Sequence, residues 1–256
     1  MTNVLDMFSL KGKVALLTGG AGLYGQQITA ALCEAGAQTW IASRNLQTLQ
    51  ETADRYGAKA LKLDLESEES IDSVVSQIVA ASGKIDILVN NAVTRVACAR
   101  WDQPMSVFDE SLHVNASALF HLTRRVADVM KSNKSGSIIN IGSYMGLLGG
   151  NPSNYEGTNM GTLSPIYFYE KGGMTNFTRW AASELGAFGI RVNCICPGGL
   201  ENGQPEMFLK NYAKNTMLGR LAGQDDLKGI IVFLASQASA YLTGTNIPVD
   251  GGYTAK

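Results

Sequence analysis

The stretch that decides the fold is residues 14–25, which read Val-Ala-Leu-Leu-Thr-Gly-Gly-Ala-Gly-Leu-Tyr-Gly. Its first five residues form an apolar run closed by threonine, which is typical of a parallel strand buried on both faces. Its glycines let the backbone adopt positive φ and approach a ligand closely, and a helix N-terminus presents free N–H groups to phosphates. The stretch therefore predicts a strand, a turn and a helix that bind a dinucleotide, with an ordinary tight turn as the alternative.

Beyond this unit, short apolar runs alternate with longer helical patterns. We predict strands at 14–18, 39–42, 60–63, 85–89, 137–141, 190–195 and 246–249, and helices at 26–35, 45–56, 67–81, 106–131, 166–188 and 224–236. This alternation requires parallel crossovers, so it predicts an α/β fold of the Rossmann type. We expect a doubly wound parallel sheet of about seven strands with helices on both faces. Because no linker or repeat interrupts the pattern, we expect one domain over 1–256.

The composition narrows the class of protein. The chain has 256 residues, with 21 basic and 22 acidic side chains and a net charge of −1. This balance argues against nucleic-acid binding, which requires a basic surplus. Charged residues make up 17% of the chain, below the usual ~25%, which indicates that part of the surface is hidden in an oligomer.

The N-terminal region, the cysteines and the histidines also allow predictions. The first apolar run is too short for a signal peptide or a membrane span, so we expect a cytoplasmic protein with no membrane partner. The cysteines lack C-x-x-C spacing and are expected to be small buried side chains: Cys33, Cys98, Cys194 and Cys196. His113 and His121 are the two histidines, too few and too badly spaced for a zinc site, so we predict no metal.

The end of the second predicted strand bears on cofactor preference. An NAD-binding site usually has an acidic residue there for the ribose 2′-hydroxyl. This chain has Ser43 followed by Arg44 and Asn45. A hydroxyl beside a guanidinium suits a 2′-phosphate, which arginine binds through two hydrogen bonds. We therefore predict NADP(H), with NAD(H) and a merely solvated Arg44 as alternatives.

Further motifs follow the predicted strands in order. They are Asp64-Leu65, Asn90-Asn91-Ala92, Asn115, Ser143, Tyr167-x-x-x-Lys171, Pro197-Gly198, Leu242-Thr243-Gly244 and Val249-Asp250-Gly251-Gly252. Together with the glycine turn of residues 18–25, they resemble the short-chain dehydrogenase/reductase family over essentially the whole chain. The resemblance implies an NAD(P)-dependent oxidoreductase that interconverts a secondary alcohol and a ketone.

The resemblance also implies roles for individual residues. Asn115, Ser143, Tyr167 and Lys171 are similar to the family's catalytic tetrad. Tyr167 is then the general acid/base, and Lys171 lies four residues on, on the same helix face, where its charge favours the phenolate. Ser143 holds the substrate oxygen, and Asn115 organises a water that links Lys171 to solvent. The predicted cofactor-binding residues are Thr18, Gly19, Gly22, Leu23, Tyr24, Gly25, Ser43, Arg44, Asn45, Asp64, Leu65, Asn91, Ala92, Tyr167, Lys171, Pro197 and Gly198.

The chain departs from the compact members of that family at four places. Leu23 stands where they usually have glycine, so the glycine spacing matches the family's longer branch. Val93 replaces the last glycine of N-N-A-G, and residues 200–202 lack the usual threonine. Ser143 and Tyr167 lie 24 positions apart, about ten more than the family pattern.

The extra residues form an insertion at about 145–165, and in the family this segment overlies the substrate pocket. Its run 151–159 is polar and turn-rich, which suits a sugar, sugar acid or polyol, although a surface loop or subunit contact is the alternative. Residues 200–217 resemble the family's substrate lid, with Met207, Phe208 and Tyr212 on its apolar side. The substrate-site candidates are Arg95, Ser143, Tyr155, Glu156 and Gly199, with Arg100 a further basic candidate for a carboxylate.

Two other functions remain open from the sequence. One is a 3-oxoacyl-carrier-protein reductase, whose acidic carrier would need a basic patch, and the candidates for it are Arg124, Arg125, Lys131 and Lys134. The other is a cofactor-binding regulatory protein without turnover, which an intact tetrad disfavours. The long predicted helices 106–131 and 166–188 resemble the family's subunit interface, so we expect a homotetramer or homodimer acting on a small-molecule substrate.

Overall fold

The computed structural model describes residues 2–94, 101–160 and 164–256. Its strands form one parallel sheet in the order β3-β2-β1-β4-β5-β6-β7. They are β1 (Val14–Thr18), β2 (Gln38–Ser43), β3 (Lys59–Lys62), β4 (Ile87–Asn90), β5 (Gly136–Ile141), β6 (Ile190–Pro197) and β7 (Asn246–Val249). The strand order reverses direction between β1 and β4, which opens a crevice at the carboxyl ends of these strands.

Eight α-helices within the described residues connect the strands. They are α1 (Leu23–Glu34), α2 (Leu46–Tyr56), α3 (Glu68–Ser82), α4 (Met105–Leu112), α5 (Leu119–Asn133), α6 (Pro165–Leu185), α7 (Glu206–Asn215) and α8 (Lys228–Ala235). Side chains fix where helices begin: Asn45 accepts hydrogen bonds from the first turn of α2, and Ser67 does the same for α3. No helix in the described part of the chain is long and apolar enough to cross a membrane.

The core lies on both faces of the sheet. Along β1, Val14 and Leu16 face one hydrophobic cluster, which includes Val126 of α5. Ala15 and Leu17 face the other, which includes residues of α1 and α8. Because alternate residues of one strand are buried in different clusters, the strand is covered on both sides. The predicted doubly wound Rossmann-type sheet is thus confirmed.

The predicted elements agree with the structure except at particular boundaries. β1 and β7 have the predicted bounds, whereas α1 begins at Leu23, three residues before its predicted start at 26. The predicted long helix 106–131 is helical throughout, but a π-helical turn, His113–Ala118, lies between α4 and α5. Such turns occur frequently at functional sites, and this one carries Asn115.

Candidate active site

A cavity of about 860 Å³ follows the carboxyl edge of the sheet. Its walls come from the residues that immediately follow β1, β2, β3, β4, β5 and β6, together with α6 and α7. Most of the predicted cofactor-binding residues line it: Gly19, Gly22, Leu23, Tyr24, Ser43, Arg44, Asn45, Asp64, Leu65, Asn91, Ala92, Tyr167, Lys171, Pro197 and Gly198. Thr18 and Gly25 lie behind this wall and support it.

The glycine turn is packed too tightly against its neighbours for side chains at two positions. Gly19 has φ +69°, and a Cβ on it would lie 3.0 Å from the Cα of Ala92. A Cβ on Gly20 would lie 2.6 Å from the Cβ of Ile41 in β2. Gly22 precedes the first residue of α1 and has no side chain to accept from that helix. The first N–H groups of α1 are therefore available to an anion in the cavity.

Five hydrogen bonds tie this turn to its neighbours. The hydroxyl oxygen of Thr18 accepts from the backbone N–H of Asn91 at 3.1 Å and of Ala92 at 3.0 Å. The Asn91 amide donates back to the carbonyls of Thr18 and Gly19. The hydroxyl of Tyr24, whose pKa is raised by burial, donates to the carbonyl of Gly198 at 2.8 Å. The turns after β1, β4 and β6 therefore form one connected wall.

Ser43 and Arg44 line the end of the cavity beside β2. The side chain of Asn45 caps α2, so its oxygen is already used by Gln47 and Thr48. Arg44 Nη1 lies 3.4 Å from a carboxylate oxygen of Glu66, and both side chains are largely exposed. Sequence reasoning missed Glu66, which follows the predicted adenine-contacting pair Asp64-Leu65 and could have been identified by that position.

The predicted catalytic side chains meet at the opposite end. Ser143 follows β5, is 5% exposed, and its Oγ accepts from the N–H of Met145 at 3.1 Å. Lys171 is 6% exposed and donates from Nζ to the carbonyl of Ile141 at 2.8 Å. That nitrogen lies 5.7 Å from the ring centre of Tyr167, one helical turn earlier in α6. Ser143, Tyr167 and Lys171 thus line one wall of the cavity.

Asn115 lies one layer behind this wall. Its Oδ1 accepts from the N–H of Thr94 at 2.9 Å, and its Nδ2 donates to the carbonyl of Thr94 at 3.0 Å. The same Nδ2 lies within hydrogen-bond distance of Ser111 Oγ and Glu170 Oε2. Ser111, Thr94 and Glu170 line the cavity although sequence reasoning did not select them. For Glu170 the available signal was its position directly before Lys171.

The insertion is fastened by its polar side chains. Asn154 is 1% exposed; its Nδ2 donates to Tyr253 Oη and its Oδ1 accepts from Asn215 Nδ2, each at 2.9 Å. Asn151 also donates to Tyr253 Oη, at 3.0 Å. These two side chains are therefore used within the protein rather than towards a substrate.

Of residues 151–159, all of them described, Tyr155 lines the cavity, where its ring packs on Phe208 with centroids 5.4 Å apart. Glu156 is exposed outside the cavity wall, because its carbonyl is held on α7 by Asn211. Gly199 lines the cavity and donates its N–H to Tyr212 Oη at 2.6 Å. Arg95 and Arg100 lie outside the described residues.

The predicted lid contains α7. Phe208 and Tyr212, four residues apart on one helix face, are buried against Tyr144 and Tyr253 and line the cavity or its base. Met207 is 49% exposed, which corrects its predicted place on the apolar side of the pocket. It lies off the buried face because one residue along a helix rotates the side chain by about 100°.

Two predicted buried cysteines lie directly beneath the site. Cys194 and Cys196 are both 0% exposed, and their sulfurs are 3.8 Å apart on β6. A hydrogen bond from Cys194 lowers the pKa of the Cys196 thiol, and the nearby charge of Lys171 adds to the effect. Cys33 is partly exposed, and Cys98 lies outside the described residues.

The sheet, the glycine turn and the residues around the cavity define an oxidoreductase of the dinucleotide-binding Rossmann class. A family model described as Enoyl-(Acyl carrier protein) reductase matches residues 22–254. The chain belongs to the short-chain dehydrogenase/reductase family.

Three similar proteins illustrate the range of this family. The chain is 34% identical to sorbose reductase of Candida albicans, covering 99% of this chain and 91% of that protein. It is 34% identical to a 3-oxoacyl-[acyl-carrier-protein] reductase of Thermotoga maritima, covering 95% of this chain and 98% of that protein. A structure of gluconate 5-dehydrogenase from Burkholderia cenocepacia, in complex with NADP and tartrate, is 29% identical, with a TM-score of 0.86 and coverage of 99% and 100%.

Proposed function

We propose that the protein is an NADP(H)-dependent oxidoreductase that interconverts a secondary alcohol and a ketone on a sugar, sugar acid or polyol, with Tyr167 as the general acid/base. The observation that carries this proposal is the convergence of Ser143, Tyr167 and Lys171 on the same cavity as the glycine turn. Residues 1–256 would form one domain, which the single sheet supports.

The cavity walls fit a dinucleotide. Gly19 and Gly22 line the cavity without side chains, and the N-terminus of α1, which no side chain caps, borders the same space. The residues that would hold the cofactor are the glycine turn for the pyrophosphate, Asp64-Leu65 for the adenine, and Asn91-Ala92 with Pro197-Gly198 for the nicotinamide side. When bound, the nicotinamide supplies or accepts the hydride.

The chain's own residues handle the proton and the substrate oxygen. Tyr167 Oη takes the hydroxyl proton of an alcohol, or gives a proton to a ketone oxygen. Lys171, held by the carbonyl of Ile141, places its positive charge beside the Tyr167 ring and favours the phenolate. Ser143 receives a hydrogen bond from Met145, so its own proton stays available to the substrate oxygen.

The preference for NADP(H) rests on Ser43 and Arg44, which line the cavity beside β2. A 2′-phosphate there would be bound by the guanidinium through charge-assisted hydrogen bonds. The Glu66 carboxylate competes for the same guanidinium at 3.4 Å, so the preference is expected to be modest. NAD(H) is therefore the alternative, and kinetics with both cofactors separate the two.

The substrate class is supported by the relatives and by the substrate end of the cavity. Sorbose reductase and gluconate 5-dehydrogenase are named for sugar-derived substrates. Tyr155 lines the substrate end of the cavity, and its phenol group can both donate to and accept from a substrate hydroxyl.

The runner-up is reduction of a 3-oxoacyl group on an acidic carrier protein, which the Thermotoga maritima relative supports. Two of its four predicted basic contacts are already paired, Arg125 with Asp72 at 2.7 Å and Lys131 with Asp128 at 3.2 Å. The deciding experiment assays sugar acids, polyols and 3-oxoacyl thioesters with both cofactors. A kcat/KM for a polyol or sugar acid at least tenfold above that for any thioester is expected; the reverse order would establish the runner-up.

A homotetramer or homodimer located in the cytoplasm is part of the same proposal. Phe120 of α5 and Phe177 and Trp180 of α6 form an aromatic cluster, with ring centroids 5.9–6.4 Å apart. Phe120 and Trp180 are 43% and 54% exposed in the single chain. A second copy that covers these rings would remove an exposed apolar patch from water, and light scattering in solution measures the assembly.

A further inference from the structure

Glu170 is a buried carboxylate in the wall of the active-site cavity. It is 8% exposed and lies in α6 between Tyr167 and Lys171. An ionised carboxylate is costly to bury unless hydrogen bonds or an opposite charge compensate for lost hydration. The contacts that provide this compensation connect Glu170 to the rest of the site.

Each carboxylate oxygen of Glu170 accepts one hydrogen bond from the helical segment 111–115. Oε1 accepts from Ser111 Oγ at 2.7 Å, and Oε2 accepts from Asn115 Nδ2 at 3.0 Å. Because Glu170 accepts from Nδ2, the amide of Asn115 presents its Oδ1 to the N–H of Thr94 at 2.9 Å. The carboxylate therefore fixes the orientation of Asn115 and, through it, the backbone of the cavity wall after β4.

The charge of Glu170 also acts on the reacting end of the cavity. Burial raises the pKa of Glu170, and the hydrogen bonds from Ser111 and Asn115, with the charge of Lys171, oppose that rise. Lys171 is thus close enough for its charge to affect Glu170. One negative charge beside this lysine offsets part of the positive field that favours the phenolate of Tyr167.

The ionisable groups on the elements packed against α6 are few. Within the described residues they are Tyr144 after β5, Arg191, Cys194 and Cys196 on β6, the exposed Asp109 and Glu110 on α4, and the exposed His113 on the π-helical turn. Tyr24 and Tyr155 also interact electrostatically with Tyr167. Both thiols interact electrostatically with Lys171, whereas Asn115 and Ser111, which contact Glu170 directly, are neutral. The charge nearest to the Tyr167–Lys171 pair from its own helix is therefore that of Glu170.

We propose that Glu170 is a positioning residue of the reaction: acting through Asn115 and Lys171, its carboxylate fixes the cavity wall and sets the pH range over which Tyr167 works as a base. This inference rests on the proposed role of Tyr167. Replacement of the carboxylate by a neutral amide removes one negative charge and makes the phenolate easier to form.

The test compares Glu170→Gln with Ser111→Ala, which removes one hydrogen bond to the carboxylate but keeps its charge. In the pH profile of kcat for alcohol oxidation, Glu170→Gln is expected to move the midpoint of the acid limb down by roughly 0.5–1 pH unit. Its kcat falls about tenfold while the cofactor KM changes less than about twofold, because an amide has one acceptor oxygen where the carboxylate has two, so Ser111 and Asn115 cannot both donate to it. Ser111→Ala keeps the midpoint within about 0.2 pH unit.

A readout independent of turnover separates this inference from the proposed function. Ultraviolet difference titration, with the signal of Tyr167→Phe subtracted, follows the ionisation of Tyr167 and is expected to show the same downward shift in Glu170→Gln. If no substrate is turned over but the titration shifts, the proposed function fails, and only the electrostatic effect of Glu170 on Tyr167 stands. Superimposable profiles and titrations for wild type and Glu170→Gln overturn the inference. Should Glu170→Gln not fold, Glu170→Asp keeps the charge and must retain the wild-type midpoint; a shift of about 0.5 pH unit in that variant also overturns it.

Discussion

Asn154 is the side chain that fastens the insertion to the rest of the protein, so its replacement by alanine tests how the insertion is built. The change removes two hydrogen bonds, one to Tyr253 and one from Asn215, at a site that is 1% exposed. At about 1 kcal/mol for each buried bond, with a further contribution from the small cavity left behind, the loss of unfolding free energy is about 2–3 kcal/mol. For a chain of this length, that corresponds to a fall in Tm of roughly 4–10 °C.

The measurement is thermal and urea denaturation of Asn154→Ala beside Asn159→Ala. The control is the same chemical change at an exposed position in the same insertion and is expected to alter stability by less than about 0.5 kcal/mol. Unchanged stability in Asn154→Ala together with a raised substrate KM would refute the reasoning, since Asn154 would then bind substrate rather than the protein itself.

Three further predictions concern the cavity wall. Gly20→Ala places a Cβ against Ile41, so we expect the free energy of unfolding, measured by urea denaturation, to fall by about 1–3 kcal/mol. We also expect weaker cofactor binding, measured by fluorescence. Wild-type values for both quantities would contradict the tight fit. Glu66→Gln frees Arg44 and should raise the ratio of kcat/KM for NADPH over NADH by about two- to fivefold, whereas an unchanged or lower ratio would argue against Arg44 as the phosphate-binding group. Because the pKa of Glu170 is raised in the folded state, wild type loses stability as pH rises from about 4.3 through that higher value. Urea denaturation should therefore show Glu170→Gln gaining stability relative to wild type as the pH rises above about 4.5, and a difference that stays constant with pH would show that the carboxyl is not perturbed.

Local sequence signals were sufficient for the sheet and its ligand-binding edge. The apolar run of β1 and the glycines after it have one low-energy arrangement, because only glycine fits beside Ala92 and Ile41. By contrast, the periodicity of residues 106–131 remains helical through the π-helical turn His113–Ala118. An extra residue in a helical turn changes the direction of Asn115 without changing the apolar pattern, so the pattern did not reveal the π-helical turn.

The site showed the same division between local and tertiary information. Ser143, Tyr167 and Lys171 were predicted from the resemblance to the family's catalytic residues, and they lie together in the cavity. The polarity of the insertion did not show which of its side chains face the cavity. Asn154 faces Tyr253 and Glu156 faces solvent, because contacts with distant segments decide where polar side chains point. The two hydrogen-bond partners of Asn154, Tyr253 and Asn215, are 61 or more positions away in sequence, beyond the reach of any local pattern.

The most direct measurement on the central claim is turnover of Tyr167→Phe, with cofactor binding measured in parallel. The variant keeps the aromatic ring beside Lys171 and removes the one hydroxyl assigned to proton transfer. We predict that it binds NADPH within about twofold of wild type and loses at least about 100-fold in kcat on the best substrate of the panel. Wild-type kcat in a variant that still binds NADPH would contradict the account.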